Sequence, residues 1–256
     1  ELIAQAHRDY LDLCLPYIAK SKATLAVAIQ NPSLTDSVCR LQIEGFIEHA
    51  QRQIEQIERR VLKGQKIPHD EKVFSLFQPH TEWISKGKAG VPVELGLKVC
   101  VLEDSQGYIL HHRVMQNETD NQIAIVMIIE AQKKYPTLTA CSFDKGFHSP
   151  ENQIELAELL DQAVLPKKGR CNKKEQDKES SAEFRNSKKK HSAVESGINA
   201  LEIHGLDRCL DHGLEGFKRY VALAVVARNI QKMGSEIIQQ KRQEEEREKE
   251  RERRRA

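Results

Sequence analysis

Two stretches carry side chains that could act on a substrate. In Ala140-Cys-Ser-Phe-Asp-Lys-Gly-Phe-His-Ser149 a short apolar run ends in Asp144, Lys145-Gly146 turn the chain, and Ser149-Pro150 open a helix. A carboxylate that closes a strand at a tight turn points out of the sheet edge, where open α/β sheets bind ligands. The same residue type is also common at strand ends merely because it satisfies the turn backbone. The second stretch, His191-Ser-Ala-Val-Glu-Ser-Gly-Ile-Asn-Ala-Leu-Glu-Ile-His-Gly205, reads as the opening of a helix. Val194, Ile198 and Leu201 make an apolar stripe, and Glu195, Asn199 and Glu202 repeat that spacing on a polar one. Ser192-x-x-Glu195 also matches a capping box, in which Glu195 would serve only the helix start.

The elements that must position these residues follow from hydrophobic period and turn chemistry. Glu1 to about Leu62 reads as helices, with a break at Asn31-Pro-Ser-Leu-Thr-Asp36 where Thr35 or Asp36 can cap the second helix. The amphipathic stretch Gln51 to Arg60 suits core packing or a dimer seam. Lys72 to Phe77, Val93 to Leu102 and Tyr108 to Met115 read as three strands, the last two joined by a hairpin turn at Asp104-Ser-Gln-Gly107. A polar loop containing Lys86-Gly-Lys-Ala-Gly90 separates the first two. Thr119 or Asp120 can cap a helix over Asn121 to Tyr135. Leu138 to Phe143 is a fourth strand, Asn152 to Leu160 a helix, and Ala163 to Pro166 a fifth strand. The expected class is therefore α/β: three hairpin-linked strands, then βαβ units, between an N-terminal helical region and C-terminal helices.

Composition narrows the partners. Charged residues make up 30% of the 256, and no apolar run reaches the length of a membrane span, so the expectation is no membrane partner. No export segment is evident, and six cysteines without a Cys-x-x-Cys pair suit free thiols in a reducing cytoplasm. The first residue is Glu rather than Met, which reads as a fragment. A net charge of +2 does not announce nucleic acid, but Lys167 to Lys190 holds ten Lys or Arg against four Asp or Glu. That stretch reads as a mobile basic insert, either a plain solvated loop or a phosphate contact. Phe217 to Met233 is apolar on nearly all sides and reads as a buried helix closed by Gly234. The tail at 235–256 is almost wholly charged from Gln239 on, and reads as a solvated helix or disorder.

Phe143-Asp-Lys-Gly-Phe-His-Ser149 followed by His191-Ser-Ala-Val-Glu195 resembles the second Asp and the Glu of DDE transposases. Phe77-Gln-Pro-His-Thr-Glu-Trp-Ile-Ser-Lys-Gly-Lys88, Arg185 to Gly205, Gly205-Leu-Asp-Arg-Cys209 and Phe217 to Asn229 extend the likeness, which is greatest to insertion-sequence transposases of the ISNCY type and covers roughly 71–234. The resemblance implies an RNase H-like DDE domain over 71–234, an N-terminal helical region over 1–67, and a bacterial, nucleoid-associated setting. It implies DNA partners, transposon ends and target, and leaves a homodimer or higher assembly on DNA open. It also implies cleavage and strand transfer with Mg²⁺ or Mn²⁺, since two such ions can activate a nucleophile and neutralise the leaving oxygen in displacement at phosphorus. Asp144 and Glu195 would then be catalytic metal ligands. The first acid of the family pattern belongs at about Gln78, where an amide stands. Asp104 would lie at the opposite sheet edge and reads as a turn residue, which leaves Glu82, Glu94 and Asp120 as candidates to complete the metal set. Lys145, Lys167, Lys168, Arg170, Lys188, Lys189, Lys190 and His191 are the candidate DNA contacts; His148, His191 and His204 match no zinc spacing. Seven residues after Glu195 stands Glu202, and four before it His191, a departure from the Lys and Arg of many insertion-sequence transposases. Two rival readings are a decayed or repurposed DNA-binding relic, because of Gln78, and a helical interaction protein acting through its terminal helices.

Overall fold

The computed structural model describes residues 1–27, 33–85 and 92–255, and only the backbone of residues 174, 178, 183, 190–193, 195 and 255. Contacts divide the chain into two units, Glu1–Gly96 and Leu97–Ala256. The division falls within the stretch 71–234.

The first unit opens with two helices, α1 (Leu2–Ala26) and α2 (Leu34–Ile57), the latter widening into a π-helical turn over Glu58–Leu62. The cap of α2 is Ser33 rather than Thr35 or Asp36. Ser33 Oγ accepts the Asp36 amide at 3.1 Å, and the Asp36 carboxylate accepts the Ser33 amide at 3.0 Å. Leu11 and Ile47 are buried between the helices. The run Lys72 to Phe77 is not a strand. Both backbone groups of Val73 are taken by one side chain of α2: its N–H donates to Gln56 Oε1 at 2.8 Å and its C=O accepts from Gln56 Nε2 at 3.2 Å. An amide thus fills the place of a neighbouring strand and holds the segment as coil with Val73 and Ile67 buried. The strands of this unit are β1 (Glu82–Ser85) and β2 (Val93–Gly96), antiparallel, with Trp83 opposite Leu95. The predicted loop Lys86–Gly90 lies outside the described residues.

The second unit is mixed α/β. The expected strand Val93 to Leu102 breaks after Gly96, and its second part, β3 (Val99–Glu103), pairs antiparallel with β4 (Ile109–Val114). The turn between them is the expected one: Asp104 Oδ1 accepts the amides of Gln106 and Tyr108 at 2.8 and 2.9 Å. Then come α3 (Asp120–Lys134), β5 (Ala140–Ser142), α4 (Pro150–Leu159) and β6 (Gln162–Val164), with β5 and β6 parallel. Among the described residues the three sheets are two-stranded. Coil at 72–77 and the break after Gly96 leave no single three-stranded meander. Helix α3 buries Ile123, Ala124, Met127, Ile128 and Ala131, one face against β4 and α4.

The basic insert is helical rather than a mobile loop: α5 (Lys173–Ser180) and α6 (Ala182–Leu201) occupy it. Asn172 and Glu175 cap α5 reciprocally, at 2.7 and 3.0 Å, and Phe184 anchors α6 by burial. Helix α7 (Gly213–Arg255) also departs from expectation. It runs through Gly234 without a break, and only part of its apolar surface is covered. Val221 and Val225 are buried, whereas Leu223, Val226, Ile230 and Met233 are exposed. Among the described residues no helix is long and apolar enough to cross a membrane.

The hold on Val73 predicts that Gln56→Leu destabilises the first unit. Two half-buried backbone groups lose their partner, which costs about 1–3 kcal/mol. Denaturant unfolding should show it; an unchanged midpoint would mean that Val73 finds other partners.

Candidate functional site

Asp144 leaves β5 one residue after the buried Phe143 and starts a tight turn, Lys145–Phe147. Its Oδ1 accepts the Lys145 amide at 2.7 Å, and its carbonyl accepts the Phe147 amide at 3.1 Å. The carboxylate therefore serves the turn, as the turn reading expects, and is exposed. Its position is fixed from both sides: the Phe143 and Phe147 rings meet 5.8 Å apart within the core. Lys145 is exposed on the same turn.

Asp120, first residue of α3, comes to this turn. A Cβ placed on Gly146 would lie 2.5 Å from Asp120 Oδ2, so no side chain fits at 146 while that carboxylate stays in place. The start of α3 is itself held. Thr119 N–H donates to Gln122 Oε1 at 2.9 Å. From the end of β4, Arg113 grips Glu118 through two bonds, Nη2 to Oε1 at 2.6 Å and Nε to Oε2 at 3.0 Å. The Arg113 guanidinium keeps Glu118 below the ordinary carboxylate range. Asn152 closes the arrangement. Ser149 caps α4, and the buried Asn152 donates from Nδ2 to the Asn121 carbonyl at 2.6 Å and to the Phe147 carbonyl at 2.8 Å. Behind the turn, burial and then the charge of Asp120 push the Cys100 thiol up to about 12, which leaves it protonated and inert.

Glu195 lies on α6, which packs against β3, β5 and β6. Its side chain, with those of His191 and Lys190, is outside the described residues. The capping-box reading of Ser192-x-x-Glu195 is overturned. α6 starts at Ser181, whose Oγ accepts the Phe184 amide at 3.2 Å, and Ser192 and Glu195 stand on inner turns. Gly197 of α6 lies beside the Glu103 carboxylate, where a Cβ would press on that side chain.

Gln78, Glu82 and Glu94 belong to the first unit. Gln78 sits in a turn, with its carbonyl accepting the Thr81 amide at 3.0 Å; Glu82 begins β1 and Glu94 stands in β2 opposite Ile84. Of the basic residues, Lys167 is turned inward: its Nζ meets Glu175 at 2.7 Å and its N–H donates to Glu179 at 2.8 Å. Lys168, Arg170, Lys188 and Lys189 are exposed. Among the described residues no group of three His, Cys, Asp or Glu side chains is arranged to hold a metal ion.

Sequence reasoning had passed over Glu103, Arg228 and Lys232, which line a cleft of about 840 Å³ with Ser142 and Gln162. Burial raises the Glu103 carboxyl, while Arg228 and Lys232 pull it down. These residues lie far apart in the chain, so no local spacing signals them.

Asn152→Ala leaves two carbonyls without their donor and should cost about 1–3 kcal/mol of unfolding free energy. An unchanged melting temperature would show that the turn does not depend on it. Glu118→Gln tests the Arg113 grip through pH. A carboxylate with a lowered folded pKa stabilises above its unfolded pKa and loses that contribution as pH falls through the folded value. Wild type should exceed the variant by roughly 0.5–1 kcal/mol at neutral pH, and the two should converge in acid. A difference that persists unchanged well below the carboxylate range would contradict the assignment.

Compared with known families, curated proteins and solved structures, this chain finds no family model, no curated protein and no solved structure that matches.

Proposed function

We propose that this chain is the catalytic region of an insertion-sequence DNA transposase of the ISNCY type, RNase H-like in plan, that cuts and joins DNA with Mg²⁺ or Mn²⁺. The observation that carries the reading is the turn after β5. It offers an exposed Asp144 from a rigid base and has the Asp120 carboxylate against its Gly146. The order of hairpin, helix, strand, helix and strand, followed by a helix bearing Glu195, supports it further. Both acids are hard oxygen donors, and Mg²⁺ is commonly held by one or two carboxylates completed by substrate phosphate oxygens. Asp144 and Asp120 would hold such an ion, with Glu195 as its further ligand. The ion would supply nucleophile activation and charge neutralisation at phosphorus.

In this reading the chain's own residues divide the work. Asp144 and Asp120 concentrate negative charge at one end of the β5–β6 pair. Lys145 on the same turn meets a phosphate. Lys168, Arg170, Lys188 and Lys189 bind the DNA backbone, with Lys190 and His191 continuing the run along α6. Lys167 is assigned to structure instead, because Glu175 and Glu179 hold it. DNA is the partner, and the nucleoid of a bacterial cytoplasm is the place such a partner implies.

A second reading is favoured by one residue. Gln78 stands where the resemblance calls for the first acid, and an amide brings no charge to offset the repulsion between two close cations. A copy that binds DNA without cutting it is the consequence unless Asp120, Glu82 or Glu94 supplies the charge. A nicking assay on supercoiled DNA across a Mg²⁺ titration separates the two. If the chain is active, Asp144→Asn and Glu195→Gln should each lower nicking ~100-fold or more with the fold intact. If it is silent, Gln78→Glu should raise Mg²⁺ affinity and start cleavage. Normal cutting by Asp144→Asn contradicts the site, and silence of both wild type and Gln78→Glu contradicts the enzyme.

A further inference from the structure

β3 and β5 each present one edge that no described strand pairs, since each belongs to a two-stranded sheet among the described residues. The Met115 amide donates to the Lys98 carbonyl at 2.9 Å. That makes Cys100 with Arg113 and Leu102 with His111 the bonded pairs, and turns the main-chain groups of Val101 away from β4. On β5 the Thr139 carbonyl accepts the Gln162 amide at 3.1 Å and the Phe143 amide donates to the Val164 carbonyl at 2.9 Å. The main-chain groups of Ala140 therefore point away from β6. Val101, Leu102 and Glu103 of β3 and Ala140, Cys141 and Ser142 of β5 all line the cleft of about 840 Å³. Successive side chains leave opposite faces of a strand, so the cleft meets the two strands at their edges. The same two helices flank both strands. Leu102 packs against the cluster that holds Ile123 and Met127 of α3, Cys141 against the cluster that holds Ile128, and α6 packs on both strands.

We propose that this cleft receives an extended segment of a different protein, bearing a Lys or Arg, as a strand between β3 and β5. The size fits. A strand residue takes up about 3.3 Å along the chain, about 4.8 Å between strands and about 10 Å between layers, so the cleft holds roughly five residues. The two edges supply the main-chain donors and acceptors on which strand addition depends. Charge selects the side chain. Glu103, Asp104 and Glu236 stand against Arg228 and Lys232, three carboxylates against two cations. Lys232 is bonded to Glu236 at 3.1 Å, whereas Glu103 has no hydrogen bond or ion pair among the described residues. An incoming cation completes Glu103 and balances the excess. Arg228 Nε is buried without an acceptor among the described residues, and a carbonyl of the incoming strand can supply one. The inference does not depend on the DNA-cutting reading.

Hydrogen exchange and peptide titration of the full chain test it. In the chain alone the Val101 amide should exchange fast, as an open edge does. The probe is the end-capped peptide Thr-Val-Lys-Val-Thr. It should bind with a Kd on the order of 100 µM and slow exchange at Val101 and Ala140 about tenfold or more. The same peptide N-methylated at alternate residues cannot donate to the edges and should bind about tenfold more weakly or worse. Glu103→Gln should weaken the Lys peptide about tenfold and leave a peptide with Gln in place of Lys unchanged, which a misfolded variant would not do. Slow exchange at Val101 in the chain alone means that the chain's own residues cover the edge, and overturns the proposal. So does a Lys peptide that fails to bind at about 1 mM, that binds regardless of N-methylation, or that binds Glu103→Gln as well as wild type. Displacement of the peptide by a single-stranded oligonucleotide assigns the cleft to nucleic acid and overturns it as well.

Discussion

Among the described residues Asn152 is the one buried polar residue. A buried amide costs several kcal/mol unless its groups are paired. Here its Nδ2 bonds the first turn of α3 and the turn after β5, from a position in the first turn of α4. Three element ends that share no secondary structure are thereby fixed against one another. The placement of Asp144 and Asp120 depends on this link. It adds to the Phe143–Phe147 contact and the Asp144 bonds that hold the turn, and to the buried face, cap and Arg113–Glu118 pair that hold α3.

The chemistry proposed for this corner is modest. Displacement at phosphorus is mostly positioning and charge compensation, so rigid carboxylates matter more than perturbed ones. The means are spread over the unit. β4 supplies Arg113, which steers Glu118 and hence the start of α3. α6, which carries Glu195, packs against β3, β5 and β6, with Gly197 beside the Glu103 carboxylate. α7 closes the other side by hydrogen-bonding the Ile109 backbone, which leaves its outer row uncovered.

Local chemistry made much of this unit legible in the chain itself. Asp104-Ser-Gln-Gly107 folds as the turn its residues dictate, Thr119 and Gln122 start α3, and Ser149-Pro150 start α4. Long-range substitution hid the rest. Lys72 to Phe77 has a strand's composition, but Gln56, distant in sequence, occupies the backbone groups that a strand would need. The insert is poor in apolar residues, so periodicity is silent there; the Asn172-Lys-Lys-Glu175 capping pattern was the available signal, and Phe184 the anchor. Glu195 sits thirteen residues past Ala182, the first residue of a helix that the sequence reading starts near it. In α7 the apolar residues all read as core, because composition does not say which of two rows meets the protein. Asp120 was one of three candidates on sequence, and only the packing of Gly146 brings it to the Asp144 turn.

A crystal structure of the full chain soaked with Mn²⁺ and examined by anomalous scattering tests the central claim most directly. The account predicts a Mn²⁺ peak at the turn after β5, with oxygens of Asp144 and Asp120 in contact and Glu195 directed to the same ion. Mn²⁺ bound elsewhere, or absent from that turn while Asp144 and Asp120 remain in place, would contradict it.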